Sequence, residues 1–195
     1  PLSITPYYAS LIDFDDRLCP IRRQVVPSIE EIEDSGGVED PLGEVEQSPV
    51  QNVIQIYPDR VALTAVKQCP VFCRFCFRKR LFSTAREGAG CGLEKSIEYI
   101  RGTPQIKDVL VTGGDPLIAS DSFLERLLRL LRSIPHVEII RIGTRAPVVL
   151  PQRITPRLCA TLSRYHPLWV NTHFNHPKEL TPEAREACDR LSRAG

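Results

Sequence analysis

The sequence predicts a parallel α/β fold of about four successive strand–helix units, preceded by an arm of short helices and loop. Three observations carry this. Apolar, strand-like runs recur at 61–66, 108–112, 137–142 and 168–172. Each is followed by a stretch with apolar residues at helical spacing. The residues with unusual chemistry fall just after the strand runs, where parallel α/β folds place their active sites.

The arm covers residues 1–56. Thr5 reads as an N-cap and Pro6 as the first helical residue, followed by the apolar stripe Tyr7, Tyr8, Leu11 and Ile12. Residues 28–46 hold eight acidic side chains and neither Lys nor Arg, which reads as a solvated acidic loop. The core covers 57–195. Its first helix spans 93–101, with Gly102 as C-cap. The second carries Phe123, Leu124, Leu127, Leu128 and Leu131, and Ser122 and Glu125 have capping-box spacing before them. Thr155-Pro156 opens the third, with Leu158, Leu162 and Tyr165 on one side. Thr181-Pro182 opens the last, with Ala184, Ala187, Cys188 and Leu191 on one face. Strands alternating with helices make right-handed crossovers, hence a parallel sheet, open or curled toward a barrel.

Composition narrows the function classes. With 42% hydrophobic and 25% charged residues, a 195-residue chain can bury a sizeable core. A net charge of +1 gives no nucleic-acid footprint. No apolar run reaches membrane-spanning length, and without a basic-then-apolar opening no secretion signal is expected. Seven cysteines, an odd number, fit reduced thiols and a cytoplasmic location better than a disulfide framework. Cys19, Cys159 and Cys188 read as small buried hydrophobes. A chain without Met that runs from Pro1 to Gly195 is expected to be a piece of something longer.

The chemistry centres on Cys69, Cys73 and Cys76, spaced four and three apart after the first strand. Thiolates bind zinc or iron–sulfur clusters. Three close in sequence can hold three corners of a cubane, leaving the fourth iron open to a ligand. Lys67, Arg74, Arg78, Lys79 and Arg80 surround them, a cationic shell expected to favour thiolate. The rivals are a zinc-binding, non-catalytic module with Cys91 as fourth ligand, and a Cys73/Cys76 redox dithiol. Gly113-Gly114-Asp115 follows the second strand, as a turn or as a close approach for a ligand. Thr144-Arg145 follows the third strand. Asn171, His173 and His176 end the fourth, without a carboxylate or third histidine at metal-ligand spacing. His176 is expected to pack or cap locally, and His136 and His166 to follow helix ends without chemical role.

The C-x3-C-x2-C spacing is similar to the cluster motif of the radical S-adenosylmethionine (SAM) enzymes. Ile4-Thr-Pro-Tyr-Tyr8, Cys19-Pro-Ile-Arg-Arg23, Tyr57-Pro-Asp-Arg60, Thr112-Gly-Gly-Asp-Pro116, Leu150-Pro-Gln-Arg-Ile-Thr155 and Asn171-Thr-His-Phe-Asn-His-Pro177 narrow the match. Together they resemble the lysine 2,3-aminomutase family, over essentially the whole chain. The resemblance implies a partial (βα)6 radical SAM barrel, a [4Fe–4S] cluster on Cys69, Cys73 and Cys76, and SAM at Gly113, Gly114 and Asp115. It places Tyr57 and Arg60 near pyridoxal phosphate (PLP), Asn171 and His173 in the SAM or PLP pocket, and Arg78 on the substrate carboxylate. Ile56 departs from the family, which carries a basic residue there. The implied reaction is migration of an amino group between neighbouring carbons, initiated by a deoxyadenosyl radical. The implied partners are an amino acid, lysine first, and an electron donor such as a flavodoxin or ferredoxin; the full-length protein is expected to be a homo-oligomer. Glutamate or a protein lysine are the alternative substrates. The family's PLP lysine and substrate-selecting acids lie downstream, so no catalytic residue is assigned here. Residues 1–195 alone are expected to be inactive in amino migration and to associate through an open sheet edge. Gly114→Val is expected to weaken SAM binding while sparing the cluster.

Overall fold

The structure, a computed structural model, describes residues 2–34, 36–82 and 92–195. The arm holds three short helices, α1 (Pro6–Ala9), α2 (Pro20–Val25) and α3 (Glu30–Glu33). A hairpin follows, β1 (Val53–Tyr57) and β2 (Arg60–Val66), then α4 (Lys79–Phe82) and α5 (Leu93–Gly102). The remaining elements are β3 (Asp108–Gly113), α6 (Asp121–Arg132), β4 (Ile139–Gly143), α7 (Ala146–Val149), α8 (Pro156–Leu162), β5 (Leu168–Asn171) and α9 (Pro182–Arg193).

The five strands form one sheet in the order β1-β2-β3-β4-β5. β2 to β5 run parallel, in the sequential order that right-handed crossovers produce. β1 was not expected. It pairs antiparallel with β2, Val53 opposite Leu63 and Tyr57 opposite Arg60, so the sheet begins inside the stretch read as arm. Its signal was present: an apolar run joined by Pro58-Asp59 to a second run is a hairpin pattern.

The four expected parallel strands form, with ends shifted by one or two residues. Val109 and Val111 of β3 and Ile140 and Ile142 of β4 are fully buried, as are Leu127 and Leu131 of α6. Each such side chain contributes about 1.5–3 kcal/mol relative to exposure. Thr155 and Thr181 cap α8 and α9 as expected, each accepting from the backbone N–H three residues on. α6 starts two residues earlier than its capping-box spacing suggested. Ser120 is the cap, accepting from Phe123 N, which places Asp121 in the first turn where its charge suits the helix dipole.

The arm contributes a second, smaller core of its own. Tyr8, Ile12, Cys19, Ile21 and Val25 pack with Val148 and Val149 of α7 and with Val71 of the cysteine loop. Among the described residues, no helix is long and apolar enough to cross a membrane.

Candidate functional site

The cysteine loop leaves the carboxyl end of β2 and is stitched to the end of β3. Gly114 N donates to Val66 O at 2.7 Å, and Asp115 N to Gln68 O at 2.8 Å. The two backbones are so close that a Cβ on Gly113 would stand 2.1 Å from Val66 O, and one on Gly114 1.9 Å from Gln68 O. Gly113 also has φ +126°, a region costly for a side chain. The glycines are therefore required by the seat of the cysteine loop, before any ligand is considered.

The loop, the strand ends and the β5 end enclose a cavity of about 400 Å³. Cys69, Cys73 and Cys76 line it, with Gly113–Asp115, Arg78, Arg145, Asn171 and His173. The three thiols also line a second cavity of about 370 Å³ on the arm side of the loop, with Val38, Pro41 and Phe72. Parallel strands thus bring together, at one sheet end, all but two of the residues assigned by sequence.

Tyr57 and Arg60 are the two left out. They face each other across the β1–β2 turn, Arg60 paired with Asp59 at 2.9 Å and stacked on the Tyr57 ring at 5.4 Å. The cysteines follow the opposite end of β2, roughly 20 Å away at about 3.3 Å per residue. Both side chains are half exposed.

Asp115 is buried, and both carboxylate oxygens serve the protein. Oδ1 accepts from Thr144 Oγ1 at 2.5 Å and Leu117 N at 3.1 Å; Oδ2 accepts from Arg145 N at 2.8 Å. Burial pushes its carboxyl above the ordinary range, against these hydrogen bonds. Its first role is to tie the end of β3 to the turn after β4.

Arg78, which the resemblance puts on a substrate carboxylate, already holds a carboxylate of the chain itself. Nε and Nη2 donate to Glu44 at 3.0 and 2.6 Å, and Nη1 to Thr112 Oγ1 at 3.2 Å. Glu44 is 3% exposed, so the acidic segment is not simply a solvated loop. Glu31 pairs with Arg74 at 2.5 Å, and Asp40 with Arg80 at 2.9 Å. The arm backbone adds Phe72 N to Ser3 O and Arg74 N to Gln24 O, at 2.9 and 2.8 Å. The acidic arm is a strap charge-matched to the basic cysteine loop. Because Arg78 and Glu44 are largely buried, their coupling in a double-mutant cycle with Glu44→Gln and Arg78→Gln is expected to exceed about 1 kcal/mol, the upper range of exposed pairs.

This pairing changes the electrostatics expected from sequence. The Cys69 thiol is pushed up by burial, then by Asp115 and the neighbouring thiols. Cys76 is also pushed up, by burial outweighing a backbone hydrogen bond and the charges of Arg78 and Lys79. The cationic shell does not make these two thiols acidic, because burial outweighs the nearby positive charge. Metal binding at these thiols must therefore displace protons.

A residue whose weight the sequence reading missed stands behind the loop. Arg145, 8% exposed, pairs with the fully buried Glu179 at 2.8 Å. Glu179 also accepts from Tyr8 Oη and from the backbone N–H groups of Asn175 and His176. Burial pushes the Glu179 carboxyl up, but these hydrogen bonds and the Arg145 charge outweigh it and hold it below its ordinary value. The depressed value stabilises the fold above the unfolded-state pKa, about 4.3, and that stability is lost as pH falls through the folded value. Glu179→Gln is expected to flatten this acid limb in urea unfolding measured from pH 7 to pH 3. Glu179→Ala, which leaves Arg145 buried without its counter-ion, is expected to cost about 3–5 kcal/mol at pH 7. Signals for both residues existed: a lone arginine before the apolar run 146–150, and a glutamate three residues after the local cap His176.

The remaining sequence candidates are quickly placed. His173 meets the Phe75 ring edge-on at 6.2 Å and lines the cavity; burial and the Arg145 charge lower its pKa. His176 caps the turn at Pro177, accepting from Lys178 N. Cys19 and Cys159 are buried. Cys91, the fourth ligand of the zinc alternative, lies outside the described residues. Among the described residues, no three His, Cys, Asp or Glu side chains gather closely enough for a single metal ion.

No family model matches the chain. Curated relatives do, from end to end. The chain is 54% identical to L-lysine 2,3-aminomutase of Fusobacterium nucleatum over 196 residues, covering 100% of this chain and 46% of that one. It is 50% identical to L-lysine 2,3-aminomutase of Clostridium subterminale, covering 100% and 47%. It is 44% identical to glutamate 2,3-aminomutase of Clostridioides difficile, covering 99% and 46%. The chain spans about half the length of the curated relatives it matches.

Proposed function

We infer that this chain, which belongs by sequence to the lysine 2,3-aminomutase family, carries the cluster- and SAM-binding part of a radical SAM amino-acid 2,3-aminomutase. One observation carries the reading: three thiols on a loop at the carboxyl ends of parallel strands, facing a cavity walled by Gly113–Asp115, Arg78 and His173. The same placement supports β2 to β5 as four units of a (βα)6 barrel.

The donor set fits a [4Fe–4S] cluster. Cys69, Cys73 and Cys76 line one cavity together, and three soft thiolate ligands on one loop suit three corners of a cubane with the fourth iron left open to a ligand. When bound, such a cluster supplies the electron that cleaves SAM. The chain's own residues supply the rest. Cys69, Cys73 and Cys76 would ligate it. The strap through Glu31, Asp40 and Glu44 holds their loop in place. Residues 113–115 would hold the methionine end of SAM through the backbone, since the Asp115 carboxylate is already engaged. Arg145 Nε is buried without an acceptor among the described residues, a donor suited to a ligand carboxylate. A substrate carboxylate at Arg78 would share that guanidinium with Glu44. Asn171 and His173 line the same cavity from the end of β5 and would contact the ligand there.

Pyridoxal phosphate does not fit the described residues in the same way. No lysine lines the cavity, and Tyr57 and Arg60 stand at the opposite end of β2. The substrate proposed is a free amino acid, lysine ahead of glutamate on the identities of the relatives, with an external one-electron donor.

The test is anaerobic reconstitution of the chain with iron and sulfide, followed by dithionite and SAM. The expected result is a brown protein that yields 5′-deoxyadenosine. A colourless chain that takes up zinc and no iron would overturn the reading.

A further inference from the structure

Arg145 makes contacts that its pairing with Glu179 does not explain. Nη1 donates to Cys73 Sγ at 2.9 Å. Nη2, besides Glu179, reaches Gln24 Oε1 at 3.2 Å and Tyr8 Oη at 3.3 Å. The guanidinium lies 5.6 Å over the Tyr8 ring and 5.5 Å over the Phe75 ring. One buried cation is thus gripped by the arm, the cysteine loop and the turn before α9, and it points one N–H at one cysteine.

We propose that Arg145 is a positioning residue that sets the reduction potential of a cluster held by Cys69, Cys73 and Cys76, through its N–H bond to the Cys73 sulfur. The inference rests on reading the three thiols as cluster ligands. Reduction adds negative charge to a cluster and its sulfurs. A hydrogen bond to a ligand sulfur stabilises that charge, so it raises the potential. The contact is partly buried, so water competes with it less than at an exposed sulfur. Glu179 offsets most of the net charge of Arg145, so the directed N–H bond is what the cluster would feel. Tyr8, Gln24 and Phe75 restrict the guanidinium to that direction.

The arrangement also accounts for Glu179 lying fully buried behind Arg145. A guanidinium serving a sulfur and a carboxylate at once needs two separate N–H edges, which arginine has and lysine lacks. Arg145→Lys keeps a cation beside Glu179 and gives up the fixed bond to Cys73. Arg145→Gln removes the charge as well and leaves Glu179 unpaired. Where that variant fails to fold, the double variant Arg145→Gln/Glu179→Gln removes the orphaned charge.

The measurement is an EPR-monitored redox titration of the reconstituted 195-residue chain and each variant, alongside iron content. The expected result is full iron in all, with the midpoint potential shifted negative in Arg145→Lys and further negative when glutamine replaces arginine. An unchanged midpoint in Arg145→Lys at full iron overturns the proposal. Loss of the cluster in a folded Arg145→Lys also overturns it, because the residue would then hold the cluster rather than tune it. A native chain that forms no cluster overturns this inference together with the functional reading, and so is told apart from failure of the inference alone.

Discussion

Alanine in place of Cys69, Cys73 or Cys76 is expected to leave the chain without a [4Fe–4S] cluster. Each of the three cysteines lines both cavities flanking the loop, and the proposed cluster needs all three as ligands. A cubane held by three protein thiolates and losing one has two attachments and an additional open iron, and it dissociates in the presence of water and chelators. The apo fold should tolerate these changes, because the three side chains are only half-buried and the strap contacts run through Glu31, Asp40 and Glu44. Cys159→Ala is the control. Cys159 is 7% exposed on α8, packed in the main core away from the loop. Iron analysis and visible absorption after anaerobic reconstitution check the result: near-zero iron in each loop variant, full iron in Cys159→Ala. Full iron in Cys73→Ala would remove the assignment.

Gly114→Val is expected to unseat the cysteine loop as well as any ligand. A Cβ there would stand 1.9 Å from Gln68 O, 2.5 Å from its carbonyl carbon and 2.7 Å from its nitrogen. These are backbone atoms, so no side chain can swing aside. Overpacking costs about 1–3 kcal/mol, and the Gly114–Val66 and Asp115–Gln68 hydrogen bonds it would break contribute about 1 kcal/mol each. A loss of roughly 3–5 kcal/mol corresponds to a Tm lower by roughly 6–20 °C at this chain length. Iron loading should fall in parallel. The expectation from sequence, that this substitution spares the cluster and weakens SAM alone, is replaced for that reason. Normal iron loading with Tm within about 2 °C of the native chain would show that the close approach is not needed.

The elements that sequence made legible are those whose causes are local. Thr155-Pro156 and Thr181-Pro182 announced helix starts because an N-cap and a proline act within one turn. The four parallel strands were readable as short apolar runs between helical periods. β1 is a short edge strand, only its first two residues buried, so what defines it is pairing with β2 and not a long apolar run. The displaced cap of α6 came from two serines two residues apart, either of which can start a helix; the tertiary position of Asp121, paired with Arg153 at 2.7 Å, favours the earlier one.

What the amino-acid sequence by itself determined was the cysteine spacing, the paired glycines, the order of strands and helices, and the family these imply. The spacing and the glycines are patterns within a dozen residues, where covalent connection already brings the groups together, and the order and the family follow from such local patterns repeated along the whole chain. Only the tertiary structure decided which charges meet. Glu44 reaches Arg78 across 34 positions, Arg145 reaches Cys73 across 72, and Tyr8 reaches Glu179 across 171. A run of acids and a run of arginines each look solvated when read alone. They become a strap only because the arm packs its own small core on Val71 and α7, which carries Glu31, Asp40 and Glu44 over the cysteine loop. The glycines, likewise, look like a ligand turn in the sequence alone; in the fold the backbones of Val66 and Gln68 fill the space where side chains on Gly113 and Gly114 would be.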